Sequence, residues 1–334
     1  RREIVIGNFM VYLQVLAGFV LLLAGAEFLV RGAVAIAARA GLSAMLIGMT
    51  VVAFGTSAPE FVVSLNAALD GAPGIAVGNV IGSNIANIWL ILGVTALFAP
   101  VVVDARAVIR DALMLIGSTV LFVWLCLMGT ISHLAGALMV ALLVGYFVRS
   151  YFRERADGTP SSHLHEREAE EFEDVKFGML GAWASFVGGL AGVVYGTDLL
   201  VNGGTEIARE AGVSEAVIGL TMIAIGTSLP ELAASGMAAL RGHTDVAIGN
   251  IVGSNLFNLL GVAGGVAALT SLPVAAQIID FDMWVMLAAT LMILAYLVLG
   301  IRIGRRHGAM FFGLYCAYIA SQVVGVAKVQ ALFS

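Results

Sequence analysis

One thirteen-residue phrase occurs twice in this chain, 171 residues apart: GMTVVAFGTSAPE from Gly48 to Glu60 and GLTMIAIGTSLPE from Gly219 to Glu231. A second phrase follows each copy at the same offset, GNVIGSNIANI from Gly78 and GNIVGSNLFNL from Gly249. The register extends further. Gly25 matches Gly196, Glu27 matches Asp198, Gly41 matches Gly212, Ser43 matches Ser214, and Asp111 matches Asp282. The fold expected for one half is therefore expected for the other. Each copy also sets a glutamate in an otherwise apolar stretch, and a carboxylate in hydrocarbon is costly enough that a repeat-related pair reads as a binding site.

Composition fixes the class. Of 334 residues, 60% are hydrophobic and 12% charged, with mean hydropathy +1.00. Soluble domains carry about 45–50% apolar and about 25% charged residues, so the polar surface of a soluble fold is missing. The chain reads as an all-α integral membrane protein. A bilayer takes roughly 17–25 apolar residues per helical span. Ten such runs are marked off: 9–37, 43–69, 73–99, 105–128, 132–152, 177–208, 214–240, 244–270, 281–301 and 309–332. The short breaks near Gly41, Asp70 and Arg241 suit tight helix–helix turns. One hydrophilic stretch, 153–176, separates five spans from five, and its acidic run Glu166 to Asp174 reads as a solvated linker. The expected organisation is a first five-helix repeat over 1–152 (motif 48–88), the linker 153–176, and a second repeat over 177–334 (motif 219–259).

Lys and Arg give the orientation. Arg39, Arg106, Arg110, Arg149, Arg153, Arg155, Arg167, Lys176, Arg241, Arg302, Arg305 and Arg306 fall on one side of a ten-span alternation; Arg1, Arg2, Arg209 and Lys328 fall on the other. That bias places the linker in the cytoplasm and both termini outside. Net charge of −5 says little about partners. Five spans per half is an odd number, so the second half enters the membrane upside down relative to the first. Such inverted-topology repeats characterise secondary transporters with a midplane site.

The doubled phrases supply the chemistry. Proline lacks an amide hydrogen and clashes with the carbonyl four residues earlier. Pro59 thus frees the carbonyl of Gly55, and Pro230 that of Gly226, and the expectation is a break or kink in both second spans. Irregular backbone at membrane depth survives where it lines a cavity or is buried in protein. In the third span of each half, Asn79, Ser83 and Asn87 recur every four residues on one helix face, and Asn250, Ser254 and Asn258 repeat this. Gly78 with Gly82, and Gly249 with Gly253, form small-xxx-small pairs expected to let backbones approach closely. The candidate ligands are Glu60, Glu231, Thr56, Ser57, Thr227, Ser228, Ser83, Ser254, Asn87 and Asn258, with freed carbonyls. All are oxygen donors. Ca²⁺ takes about 6–8 oxygens in a flexible shell, whereas Mg²⁺ keeps its waters in strict octahedral geometry. Na⁺ is close to Ca²⁺ in size and can use the same oxygens, so the residues favour cation transport.

The paired GTSxPE and GNxxGSNxxN phrases resemble the α-repeats of the cation/Ca²⁺ exchanger superfamily, in its prokaryotic sodium/calcium exchanger-like branch. The resemblance implies Na⁺/Ca²⁺ antiport by alternating access in a cell membrane, the prokaryotic inner membrane. Glu60 and Glu231 would be the central calcium ligands, helped by the carbonyls of Thr56 and Thr227. Sodium sites would add Ala53, Ser57, Ser83, Asn87, Ala224, Ser228, Ser254 and Asn258. It also implies a sliding gate formed by the first and sixth helices, 9–37 and 177–208. Two departures stand out. Some members carry aspartate where this chain has Asn258, which leaves two carboxylates facing the site here. The linker is also too short for the large regulatory calcium-binding domains that animal relatives carry.

Rival readings are H⁺/Ca²⁺ exchange by the same glutamates and a Ca²⁺ channel. A membrane-embedded hydrolase would need a nucleophile–base set or a metal-binding His pair, and the spans offer neither, so the chain is not expected to be an enzyme. Cys126 and Cys316 lie in apolar runs without CxxC spacing and read as buried, inert thiols. Glu27 and Arg31, four apart, are expected to pair. The partners expected are Ca²⁺, Na⁺ and the lipid bilayer. No cofactor, nucleic acid or obligate protein partner is implied.

Overall fold

The computed structural model describes residues 2–102, 105–157, 178–211 and 215–324; the side chains of 2–9, 105–107, 157, 215–225 and 324 are not described. The fold is all-helical apart from two-residue strands. In chain order the helices are α1 Arg2–Ala40, α2 Ala44–Ile47, α3 Ala53–Thr56, α4 Ala58–Leu69, α5 Pro73–Ile85, α6 Leu92–Phe98, α7 Ala105–Leu127 and α8 His133–Asp157. The second half adds α9 Met179–Glu210, α10 Glu215–Leu240, α11 Thr244–Leu256, α12 Ala263–Leu269, α13 Met283–Val298 and α14 Arg305–Val324. Strands β1 Thr130–Ile131 and β2 Leu272–Pro273 pair antiparallel.

Seven helical segments among the described residues are long and apolar enough to cross a membrane, or eight if the pair Ala44–Thr56 and Ala58–Leu69, bent by 42°, is one span. Ten were expected. Of the other two, α10 has described side chains over 226–240 alone, and α14 opens on Arg305, Arg306 and His307, which dilute its apolar character. The fifth expected span is longer than the hydropathy suggested, because α8 carries the first five residues of the anticipated linker, four of them charged, ending at Asp157. Most of that linker, including Glu166 to Asp174, lies outside the described residues. Large apolar side chains such as Leu134, Phe152 and Leu180 point outward. Polar ones such as Glu60, Glu231, Asn250 and Asn258 are buried. That inside-out distribution belongs to a multi-pass membrane protein.

The halves interlock. α1 and α9 meet through glycines: a Cβ on Gly25 would lie 2.6 Å from the Val193 amide nitrogen, and one on its repeat mate Gly196 would lie 2.6 Å from that of Leu22. Only glycine permits such contact between backbones. Further along, Gly93 on α6 abuts Gly308 on α14, and Gly264 on α12 abuts Gly136 on α8. Likewise, Ile131 pairs with Leu272, and Val101 forms an isolated bridge with Ile303. These are the same contacts with the halves exchanged, and they show that the register shifts from 171 to 172 residues after Asp111. A one-residue insertion before the last helix of the second half explains it.

π-helical turns interrupt the helices at Gly48–Val52, Ala86–Ile91, Phe257–Val262 and Ile278–Asp282. The second and third are repeat mates; the first and fourth have none among the described helices. Cys126 is buried as expected, but Cys316 is exposed on α14, because it falls on the outward rather than the inward face of that helix. Glu27 and Arg31 pair at 2.6 Å, and Arg241 also reaches Glu27 at 2.8 Å.

Candidate cation site

The first GTSxPE copy breaks its helix as expected. α3 ends at Thr56, Ser57 leaves helical geometry at φ −89°, ψ 4°, and α4 restarts at Ala58 with Pro59 in its first turn. Proline suits that position, since its missing N–H is an orphan there anyway. The second copy does not break: Pro230 sits inside α10, which runs unbroken from Glu215 to Leu240. A proline removes one intrahelical bond and forces a local clash, but flanking packing can hold the helix together. In the first half the π turn at Gly48–Val52 adds a second irregularity ahead of the break at Ser57.

The two motifs meet at the centre. Ser57 Oγ donates to Glu231 Oε1 at 2.9 Å, tying the second helix of one half to that of the other. Thr56 Oγ1 lies 3.4 Å from Asn250 Oδ1. Asn79 donates to Ser64 Oγ at 3.0 Å, and its mate Asn250 donates to Ser235 Oγ at 2.9 Å, so each third-span asparagine braces the helix bearing its own glutamate. Asn79 also donates to the Glu60 carbonyl at 3.3 Å. The Ala53 carbonyl accepts from the Ser57 amide at 2.9 Å. Asn87 and Asn258 lie on the mated π turns, a device that recurs at functional sites. Of the expected ligands, Thr56, Ser57, Glu60, Ser83, Asn87, Ala53, Thr227, Ser228, Glu231, Ser254 and Asn258 are all buried. The side chain of Ala224 lies outside the described residues.

Several of these polar atoms have no partner. Glu60 Oε2, Glu231 Oε2, Ser254 Oγ and both amide atoms of Asn258 are buried without a hydrogen bond. Buried polar atoms are nearly always satisfied, so a convergent set of orphans calls for an explanation, an ion among them. All four residues supply anionic or neutral oxygens that suit a hard cation. Among the described residues no group of three or more His, Cys, Asp or Glu side chains gathers to hold a metal. Hydroxyl, amide and carbonyl oxygens must therefore complete any shell around the two glutamates.

The glycine pairs behave differently in the two halves. A Cβ on Gly249 would meet the Met45 carbonyl at 2.5 Å, and one on Gly48 would meet that of Val246 at 2.7 Å. Gly78 and Gly82 have nothing within 4 Å, so the expected close approach occurs in the second half alone. In the first half these glycines line a cavity of 620 Å³ that also reaches Ser83 and Thr227. Asp282 stands on the same cavity. The sequence had marked it only as the mate of Asp111; an acid recurring at one register position within apolar runs was the available signal.

A broken helix in one half and a continuous, proline-bearing helix in the other, meeting at buried oxygens with unmet bonding capacity, define a membrane carrier for hard cations. The family model for the sodium/calcium exchanger protein matches residues 10–152 and 181–324, and the chain belongs to that family. It is 40% identical to the putative antiporter CaxA of Alkalimonas amylolytica over 87% of this chain and 90% of that protein. It is 32% identical to the sodium/calcium exchanger MaX1 of Methanosarcina acetivorans, covering 92% and 97%. The solved sodium–calcium exchanger NCX_Mj superposes with a TM-score of 0.80 at 30% identity, covering 94% of this chain and 99% of that one.

Proposed function

We propose that this protein is a secondary-active antiporter that exchanges Na⁺ for Ca²⁺ by alternating access. Ten helices in two inverted five-helix repeats cross the membrane, with both termini outside and the linker in the cytoplasm. The cation site lies near the midplane. Glu60 and Glu231 are the central Ca²⁺ ligands, assisted by the carbonyls of Thr56 and Thr227. Na⁺ uses the same carboxylates with Ser57, Ser83, Asn87, Ser228, Ser254, Asn258 and the backbone at Ala53 and Ala224. The observation that carries this reading is the set of unpartnered buried atoms on Glu60, Glu231, Ser254 and Asn258. Two carboxylates balance one Ca²⁺, so calcium and sodium compete for one pocket and the empty, doubly charged site resists crossing the membrane interior.

In the proposed orientation, residues 73 and 278 begin their helices outside, so the cavity along Gly74, Gly78 and Gly82 opens to the exterior. The opposite face is closed by the seam of Gly48 and Gly249 and by the Glu27–Arg241 ion pair. α1 and α9, whose backbones meet along a glycine seam, slide as the gate. The test is flux: Na⁺-loaded proteoliposomes diluted into Na⁺-free buffer should take up ⁴⁵Ca²⁺. Uptake driven by a pH jump and not by the sodium gradient would replace sodium with protons as the coupling ion.

A further inference from the structure

Asp282 is a carboxylate on the cavity wall that the exchange site does not use. It closes the π turn Ile278–Asp282 and is 7% exposed. Its Oδ1 accepts from Gln322 Nε2 at 2.6 Å and from the Tyr318 hydroxyl at 3.2 Å, while Oδ2 accepts from Gln277 Nε2 at 3.3 Å. Gln277 Nε2 also donates to Gln322 Oε1 at 2.9 Å. All three side chains share the cavity with Asp282. Every donor is neutral, and among the described residues no Lys or Arg pairs with this acid. Neutral donors fix the direction of a carboxylate but leave its charge uncompensated. A charge so placed against a polar cavity draws its counter-ion from the solution that fills it.

The repeat mate sharpens the point. Asp111 takes a hydrogen bond from Tyr146, which matches Tyr318 in the 172-residue register. The acid–phenol pair is thus built twice, yet Asp111 stands on the uninterrupted helix α7 and is not part of this cavity's wall. The π turn, with its extra residue per turn, is what sets Asp282 apart.

We propose that Asp282 is a loading carboxylate. Together with the amide oxygens of Gln277 and Gln322 it holds a hydrated cation, Ca²⁺ ahead of Na⁺, before that ion moves on towards Glu60 and Glu231. The preference follows from charge, since the attraction scales with the charge of the ion. The proposal rests on the cation-exchange reading above.

The experiment measures Na⁺-driven exchange in proteoliposomes of uniform orientation, with ⁴⁵Ca²⁺ presented to the cavity face. Asp282→Asn should raise the KM for Ca²⁺ about tenfold, with little change in maximal rate and a weaker dependence on ionic strength. The KM measured from the opposite face should stay at its wild-type value. Asp282→Glu, which keeps the charge, should restore the KM, and Tyr318→Phe, which removes one hydrogen bond, should leave it alone. An unchanged KM in Asp282→Asn overturns the proposal. Equal rises in Asp282→Asn and Tyr318→Phe overturn it too, since they mark a structural clasp between helices. Should Asp282→Asn fail to fold, Gln322→Glu adds charge instead and should lower the KM; a KM unchanged or raised is then the refuting result. Wild-type protein that shows no exchange at all removes the underlying function, an outcome distinct from the loss of Asp282's role alone.

Discussion

Glu60 and Glu231 occupy the same position in the two halves, but the helices that carry them are held differently. Before Glu60 the chain leaves helical geometry at Ser57 and the flanking helices bend by 42°. Before Glu231 the helix passes through Pro230 without a break. The third spans differ in the opposite sense. Gly249 is pressed against the Met45 backbone, whereas Gly78 and Gly82 face a cavity. Asn87 donates to Asn255 at 3.0 Å, while its mate Asn258 has no partner on either amide atom and Asn84, the mate of Asn255, turns back to the Val80 carbonyl. One set of residues thus adopts two arrangements within one molecule. In the proposed alternating-access cycle, exchanging the arrangements between the halves would move the opening from one face to the other.

The largest expected effect tests what the halves share. Glu60→Gln or Glu231→Gln removes one of the two charges proposed to hold the cation, at about 3 kcal/mol or roughly 100-fold in Ca²⁺ affinity, read by equilibrium ⁴⁵Ca²⁺ binding. Equal losses from both variants fit one shared site; a large loss from one alone would mean that the halves do not contribute alike.

The prolines come next. Pro230 sits inside a continuous helix, where it removes one intrahelical hydrogen bond, so Pro230→Ala should stabilise the protein by up to about 3 kcal/mol in thermal unfolding. Pro59 already sits in a first helical turn that accepts it, so Pro59→Ala should change stability by under about 0.5 kcal/mol. Equal shifts would dissolve the structural difference between the two motifs.

The glycines provide a finer test. Gly249→Ala forces a methyl onto the Met45 carbonyl and should cost about 1–3 kcal/mol in stability. Gly82→Ala meets open space here and should leave the melting temperature near wild type. Exchange should still slow in Gly82→Ala, because the proposed alternative arrangement would close on that glycine as this one closes on Gly253. A variant with wild-type melting and wild-type flux would argue against the exchange of arrangements between halves.

Arg241→Gln should produce the smallest change. The Glu27–Arg241 pair is partly exposed and is worth about 0.2–1 kcal/mol. Its mates in the register are Asp198 and Asp70, two acids, so the opposite face lacks an equivalent tie. Cysteine accessibility on the face closed here should rise slightly in Arg241→Gln, and no rise would show the pair to be incidental.

Much of the candidate site was legible before any coordinates. A glutamate after Gly-Thr-Ser-x-Pro is conspicuous because hydrocarbon makes it expensive, and the repeat doubles the signal. Helical spacing alone put Asn79, Ser83 and Asn87 on one face. Other features were not legible. Asp282 and Asp111 are equivalent in the sequence, and a π turn at one of them separates their surroundings. Cys316 shares an apolar run with residues that face inward, and hydropathy has no direction around a helix axis. The shift of the register to 172 residues is invisible where the last helices have diverged and shows only in which glycines and tyrosines meet the same partners.

The sequence by itself determined that the chain is a multi-pass helical membrane protein made of two related halves with one costly carboxylate in each. It could do so because composition, apolar run length and repeat register are properties of residues in order. The tertiary structure alone decided which half is broken and which continuous, which glycine pair is packed and which lines the cavity, and which aspartate stands on its wall. Each of those is a choice between packings of nearly identical local sequence. The energies that settle them come from contacts between residues far apart in the chain, such as Ser57 and Glu231, 174 positions apart.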